Sequence, residues 1–248
     1  MERPLSKVLN PEPGPLLADP VEVSGALLAA AREPDVRPDE VAALAGALHG
    51  VGPRKLCGDY RRTAFWLNVY NALFLHEMLV RPRSGNLLRH IRLFERAAYR
   101  VGDATFTLSQ IEHGILRRNA RAPTALRRPF RRRDARRAAI PSRLDPRIHF
   151  ALNCGARSCP PLRFYDDAGL DAQLRLATRS YLDQETRVDR EGGVLTLPRL
   201  MRIYRGDFGD RRAQIAFVAR YLPEVASMLS RIDTLGVEYA DYDWTIAT

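Results

Sequence analysis

The stretch AFWLNVYNALFLHEML, Ala64 to Leu79, constrains the fold more than any other. At 3.6 residues per turn, Trp66, Tyr70 and Phe74 fall on one side and Asn68, Asn71, Leu75 and Leu79 on the other. A helix apolar on nearly every side has to be enclosed by other elements. Its two asparagines are then buried, and a buried amide without partners costs about 1–3 kcal/mol. Asn68 and Asn71 therefore either tie down neighbouring loops or line a site. His76, on the same helix, belongs to the core or its rim.

The remaining segments supply the enclosure. VSGALLAAARE and PDEVAALAGALHG read as two helices, the second opened by Pro38 and Asp39 and closed by Gly50. They make residues 1–55 a helical N-terminal extension. YRVGDATFTL reads as a β-hairpin turning at Gly102-Asp103, and TRVDREGGVLTL as a second one at Gly192-Gly193. Ser109 followed by Glu112 has the spacing of a capping box, which places His113 in the first turn of a helix. Residues 117–143 break the pattern with arginines and read as a basic surface excursion. Ile148 to Cys154 alternates as a buried strand, with Ile148, Phe150, Leu152 and Cys154 on one face and Arg147, His149, Ala151 and Asn153 on the other. Asp166 to Gln184 is an amphipathic helix, a bend at Gly206–Gly209 precedes another, and VEYADYDWTIAT alternates as a last strand. Hairpins without a repeating βαβ order predict an α+β (or α/β) single domain, 56–248, with a central helix on a small, mostly antiparallel sheet and other helices around it.

Composition bounds the function. A 248-residue chain with 46% hydrophobic and 27% charged residues can bury a core without disulfides. No run of about 18 apolar residues exists to span a membrane, and the N-terminus has no apolar signal core, which together predict a cytoplasmic chain. The net charge of +10 raises an acidic partner, and RRPFRRRDARR, Arg127 to Arg137, is the densest basic run. No nucleic-acid-binding signature accompanies it. Neither a G-x-G-x-x-G nor a P-loop pattern follows a strand, so no nucleotide cofactor is expected. The five histidines show no metal-ligand spacing, and no metal is expected.

Six motifs occur in order: AFWLNVYNALFLHEML, TLSQIEHGILRR, DPRIHFALNCGARSCPPLR, LDAQLRLATRSYL, LPRLMRIYRGDFG and YADYDW. Together they resemble the family called domain of unknown function 547, from about residue 60 onward. The resemblance implies no established activity. It implies that Asn68, Asn71, Glu112, His113, Asn153, Cys154, Cys159, Tyr204, Asp207 and Asp243 occupy the family's recurrent polar positions. Many bacterial members look exported, and some plant and animal members are joined to glutaredoxin-like and signalling modules.

The chemistry centres on the cysteines. A thiol acts as a nucleophile when partly ionised, which needs a cation, a helix N-terminus or a metal nearby. Cys154, at a strand end before Gly155, is the leading nucleophile. His113 is its expected base; Glu112 stands beside it but competes with its own capping bond for orienting the imidazole, and Asn153 or Asn71 could instead orient it or donate to a developing oxyanion. Strand parity turns His149 away from Cys154. Asn68, Asn71, Asn153, Cys159, His149, Tyr204 and Asp207 would line the site, with Asp207 alternatively capping the following helix. The expected function is a thiol-dependent, cofactor-independent enzyme for acyl transfer or amide or thioester hydrolysis, acting on a small-molecule, acyl or peptide substrate. Two alternatives stand beside it. One is a non-catalytic binding module with a buried polar network and a basic loop. The other is a redox protein in which Cys154 and Cys159 cross-link reversibly.

Overall fold

A computed structural model describes residues 7–52, 55–123, 125–229 and 234–247. The chain enters through a short strand, β1 (Lys7–Val8), and two helices, α1 (Pro20–Ala31) and α2 (Pro38–Ala45). Proline at the first helical position starts both, because its fixed φ suits the first turn and its missing N–H is not needed there. Asp19 completes the first cap by accepting from Val21 N at 2.9 Å. The long helix α3 (Asp59–Val80) follows, with every residue from Thr63 to Phe74 buried. Its apolar circumference is satisfied as expected. Leu27 and Leu28 of α1, Val41 and Ala45 of α2, and Leu48 pack into the same core as Phe65, Trp66 and Leu73. The N-terminal segment is thus built into the domain.

After α4 (Leu93–Arg96) come β2 (Ala97–Val101) and β3 (Ala104–Thr107), the first hairpin. Its register pairs Val101 with Ala104 and leaves Gly102-Asp103 as the turn. Gly102 has φ +56°, and a Cβ there would meet Val51 O at 2.7 Å, so glycine is required twice over. β1 extends this sheet in parallel beside β2. Buried His76 of α3 binds the Tyr99 hydroxyl of β2 at 2.8 Å, and burial draws its pKa down to about 4. His76 is a core residue.

The second hairpin is also present, with β4 (Arg187–Asp189) antiparallel to β5 (Val194–Leu197) after helix α5 (Leu170–Glu185). Helices α6 (Arg199–Ile203), α7 (Arg205–Phe208), α8 (Arg211–Ala219) and α9 (Pro223–Ala226) follow, and β6 (Gly236–Tyr239) pairs in parallel with β5. The class is α+β, with about 49% helix and 11% strand. Each local hairpin is extended by one parallel strand from far along the chain, so the strands form two mixed three-stranded sheets. A second apolar cluster, including Phe150, Leu195, Met201, Phe208 and Val218, lies under the second sheet.

Two local expectations are corrected. Ile148 to Cys154 does not form a strand. Residues Pro146–Phe150 are a 3-10 helix, because Pro146 presets the first φ and Asp145 accepts from Arg147 N at 3.0 Å. Ile148, His149, Phe150, Ala151 and Leu152 are all buried, so two-face parity does not apply. The capping box also sits two residues earlier than expected. Thr107 Oγ1 accepts from Gln110 N at 3.2 Å, and Gln110 Oε1 accepts from Thr107 N at 3.1 Å. The helix begins directly where β3 ends, which frees Glu112 from any capping duty. It continues as a π-helix over Gln110–Leu116.

Candidate functional site

Two adjoining groups of polar residues lie where the two apolar clusters meet. The first is a buried ionic network. The π-helix brings His113 and Arg117 together, with Arg117 Nη1 donating to His113 Nδ1 at 3.0 Å. π-Helical turns are wider than α-turns and recur at functional sites. Arg118 and Asn119, with φ +50° and +61°, end it in left-handed backbone. Arg117 also pairs with Asp207 of α7 through both carboxylate oxygens, at 2.5 and 3.0 Å. His149 Nε2 donates to Asp207 Oδ2 at 2.8 Å and stacks on the Tyr204 ring at 3.9 Å between centroids. The Tyr204 hydroxyl donates to Glu112 Oε1 at 2.7 Å, and Tyr70 of α3 reaches Glu112 Oε2 at 3.4 Å. The network therefore joins α3 and the π-helix to the elements around the second sheet.

Its electrostatics are those of a satisfied interior. Burial pushes the Asp207 carboxyl up, but hydrogen bonds from His149 and Arg117 outweigh it and hold the group at about 2. Burial lowers both His113 and His149 below the ordinary imidazole value, despite carboxylates nearby. An arginine N–H can only donate, so His113 Nδ1 accepts and its proton sits on Nε2. The 3.5 Å approach of His113 Nδ1 to Glu112 Oε1 is then a contact between two acceptors rather than an ion pair.

The second group is the loop after the 3-10 helix. Asn71 of α3 accepts from Asn153 N at 3.0 Å and donates to Ala151 O at 3.1 Å. Asn153 accepts from Gly155 N at 2.7 Å and donates to Pro160 O at 2.7 Å, folding the loop on itself. Gly155 makes the turn with φ +80° against the Phe74 ring. The result sets Cys154 Sγ 2.6 Å from Cys159 Sγ. Cys159 Sγ also accepts from Cys154 N at 3.1 Å and lies 3.2 Å from the Tyr242 hydroxyl. Both cysteines are half-buried free thiols. Burial raises the Cys159 thiol, but bonds from Cys154 Sγ, the Tyr242 hydroxyl and the Cys154 amide outweigh it and bring the group to about 7. Cys154 is pushed up, first by its bond to Cys159 and then by burial.

The sequence-derived residues thus divide. Cys154, Cys159, Asn153 and Asn71 come together in the thiol loop. Glu112, His113, His149, Tyr204 and Asp207 come together in the ionic network. Tyr70, which reaches Glu112, and Asn71, which holds the thiol loop, are consecutive on α3, so that helix anchors both groups. Cys154 Sγ has Cys159 and Tyr242 as hydrogen-bond partners, while His113 Nδ1 is held by Arg117. Asn68 lies elsewhere: it donates to Tyr165 O at 2.8 Å, accepts from Tyr165 N at 3.0 Å and fixes that loop. Asp207 does not cap the next helix; Asp210 does, accepting from Ala213 N at 2.9 Å. Asp243 is exposed and accepts from Thr245 N at 2.8 Å.

Two central residues escaped the sequence reading. Arg117 stands four positions after His113, the spacing of helical neighbours, but its place at the head of an arginine-rich run disguised it. Tyr242 lies in YADYDW, where the aspartates drew attention instead. Among the described residues no cluster of histidine, cysteine and carboxylate has the arrangement to hold a metal ion, and no helix is long and apolar enough to cross a membrane. The surface depressions around Arg61 and Asp167 do not include the thiol loop.

Compared with known families, residues 54–182 match the family described as "Protein of unknown function, DUF547". Tyr204, Asp207 and Tyr242 lie beyond the matched residues. No curated protein and no solved structure matches the chain.

Proposed function

We propose, for a chain that belongs to the DUF547 family, that the Cys154–Cys159 loop is a thiol–disulfide redox centre. The observation that carries this reading is the contact between the two sulfurs, 2.6 Å apart on one hydrogen-bonded loop. A nucleophilic thiolate and a second thiol beside it are the two components that disulfide exchange requires. Cys159 is the attacking group, since its thiolate is held by the Cys154 amide and the Tyr242 hydroxyl. Cys154, held protonated near neutral pH, is the resolving group.

The substrate class is a disulfide. Cys159 thiolate attacks one sulfur, forms a mixed disulfide and expels the other sulfur as a thiolate. Cys154 then gives up its proton and attacks the Cys159 sulfur. The intramolecular disulfide closes and the second substrate sulfur leaves as a thiolate. Two electrons pass from the protein to the substrate, which departs as two thiols after protonation. A low-molecular-weight or protein dithiol returns the centre to its starting state by the same exchange in reverse. Neither a metal nor an organic cofactor is needed to balance these steps. The His113-assisted acyl-transfer scheme lacks comparable support, because the lone pair it needs on Nδ1 is already engaged by Arg117.

Iodoacetamide labelling of the reduced protein, read residue by residue by mass spectrometry, tests the assignment of roles. Cys159 is expected to react with a midpoint near pH 7, and Tyr242→Phe should move that midpoint toward the ordinary thiol value of about 8.5. Slow labelling of Cys159 with an ordinary midpoint in both proteins would reject it as the attacking thiolate.

A further inference from the structure

The arginine-rich run is not a loose excursion. Phe130 is buried at its centre, with its ring edge-on to Phe106. It packs so closely on Gly114 that a Cβ there would lie 2.4 Å from the ring. Asn119 clasps the Phe130 backbone from both sides, accepting from its N–H at 2.8 Å and donating to its C=O at 3.0 Å. Arg136 folds inward over the Phe130 ring at 4.6 Å and neutralises Asp134, the one acid in the run. These contacts hold the segment against the self-repulsion of its charges.

What they hold outward is strongly basic. Arg127, Arg128, Arg131, Arg132, Arg133 and Arg137 are exposed, and among the described residues none has an ion-pair partner. Leu126, directly before them, is 89% exposed. An exposed apolar side chain followed by arginines without carboxylate partners suits the boundary between lipid headgroups and acyl chains. A single-stranded nucleic acid would instead want exposed aromatics for stacking. The run's one aromatic, Phe130, is spent as the anchor.

We propose that Leu126–Arg137 docks the protein on a bilayer carrying anionic lipid, with the arginines at the headgroups and Leu126 inserted beneath them. Each basic residue near such a surface contributes on the order of 1 kcal/mol, so neutralising three should weaken binding roughly a hundredfold.

The test is co-sedimentation of the full chain with vesicles of phosphatidylcholine alone or mixed with phosphatidylserine. The wild type should bind the mixed vesicles only, and less as salt rises. The triple variant Arg131→Gln, Arg132→Gln, Arg133→Gln should lose roughly two decades of affinity, and Leu126→Ser should lose several-fold. All four positions are exposed, and unchanged thermal unfolding would verify that folding is intact. Failure to bind mixed vesicles, equal binding to phosphatidylcholine alone, or undiminished binding by the triple variant would each overturn the proposal. So would tighter binding of single-stranded RNA that the same triple variant abolishes.

Discussion

Asp207→Ala is expected to destabilise the protein by about 3–5 kcal/mol, the usual effect of removing one member of a buried ion pair. The side chains of Arg117 and Asp207 are only 6% and 8% exposed, so water cannot replace the lost carboxylate. Arg117 would keep a buried charge, and His149 would lose the acceptor of its Nε2 proton. Chemical denaturation measures the difference directly. The exposed pair Arg37–Asp39 provides the contrast: with side chains 67% and 72% exposed, its loss should cost no more than about 1 kcal/mol.

The same network sets a direction for pH. His113 and His149 have folded-state pKa values below the ordinary imidazole value. The unfolded chain therefore takes up those protons first as pH falls. Stability from these groups is complete above about 6.5 and declines below it. His76 adds a loss between about 6.5 and its folded value of about 4. Asp207 contributes fully above its unfolded value of 3.8 and loses that contribution as pH falls toward about 2. Acid unfolding should consequently begin with the histidines, well before the Asp207 carboxylate is protonated.

Gly155→Ala is the second large effect. With φ +80°, any side chain there is strained by about 1–2 kcal/mol. The added carbon would also lie 2.4 Å from Phe74 Cζ, inside the core around α3. Overpacking of that kind costs a further 1–3 kcal/mol or so. The backbone must shift, and it carries Cys154 with it. The variant should therefore lose stability and also separate the sulfurs, so that Cys154–Cys159 cross-linking slows even in molecules that remain folded. Gly193→Ala is the control. It has φ +64° but open space around it, and should show the backbone strain alone.

The fold was legible where local signals were strong. The all-round apolar character of Ala64–Leu79 required a central helix, and two glycine turns announced the hairpins. The last strand was legible by its alternation and β1 was not, and the parallel pairing of neither could be read, because β1 and β6 find their partners far along the chain. The stretch Ile148–Cys154 misled because alternation over a few residues does not distinguish a strand from a buried helical turn. Pro146 and its Asp145 cap decided the matter locally. At the candidate site, the residue types were legible and their grouping was not. His113 and Cys154 each invited the other as partner, yet Arg117 and Tyr242, one hidden in a basic run and the other in an acidic one, hold them in separate groups.

The thiol assignment is tested most directly by equilibrating the protein in dithiothreitol buffers of graded redox poise and mapping cysteine-containing peptides at each step. The account predicts one two-electron transition, in which Cys154 and Cys159 join to each other while Cys57 stays out of any disulfide. Cysteines that stay reduced across the whole series, or a disulfide formed through Cys57 instead, would contradict it.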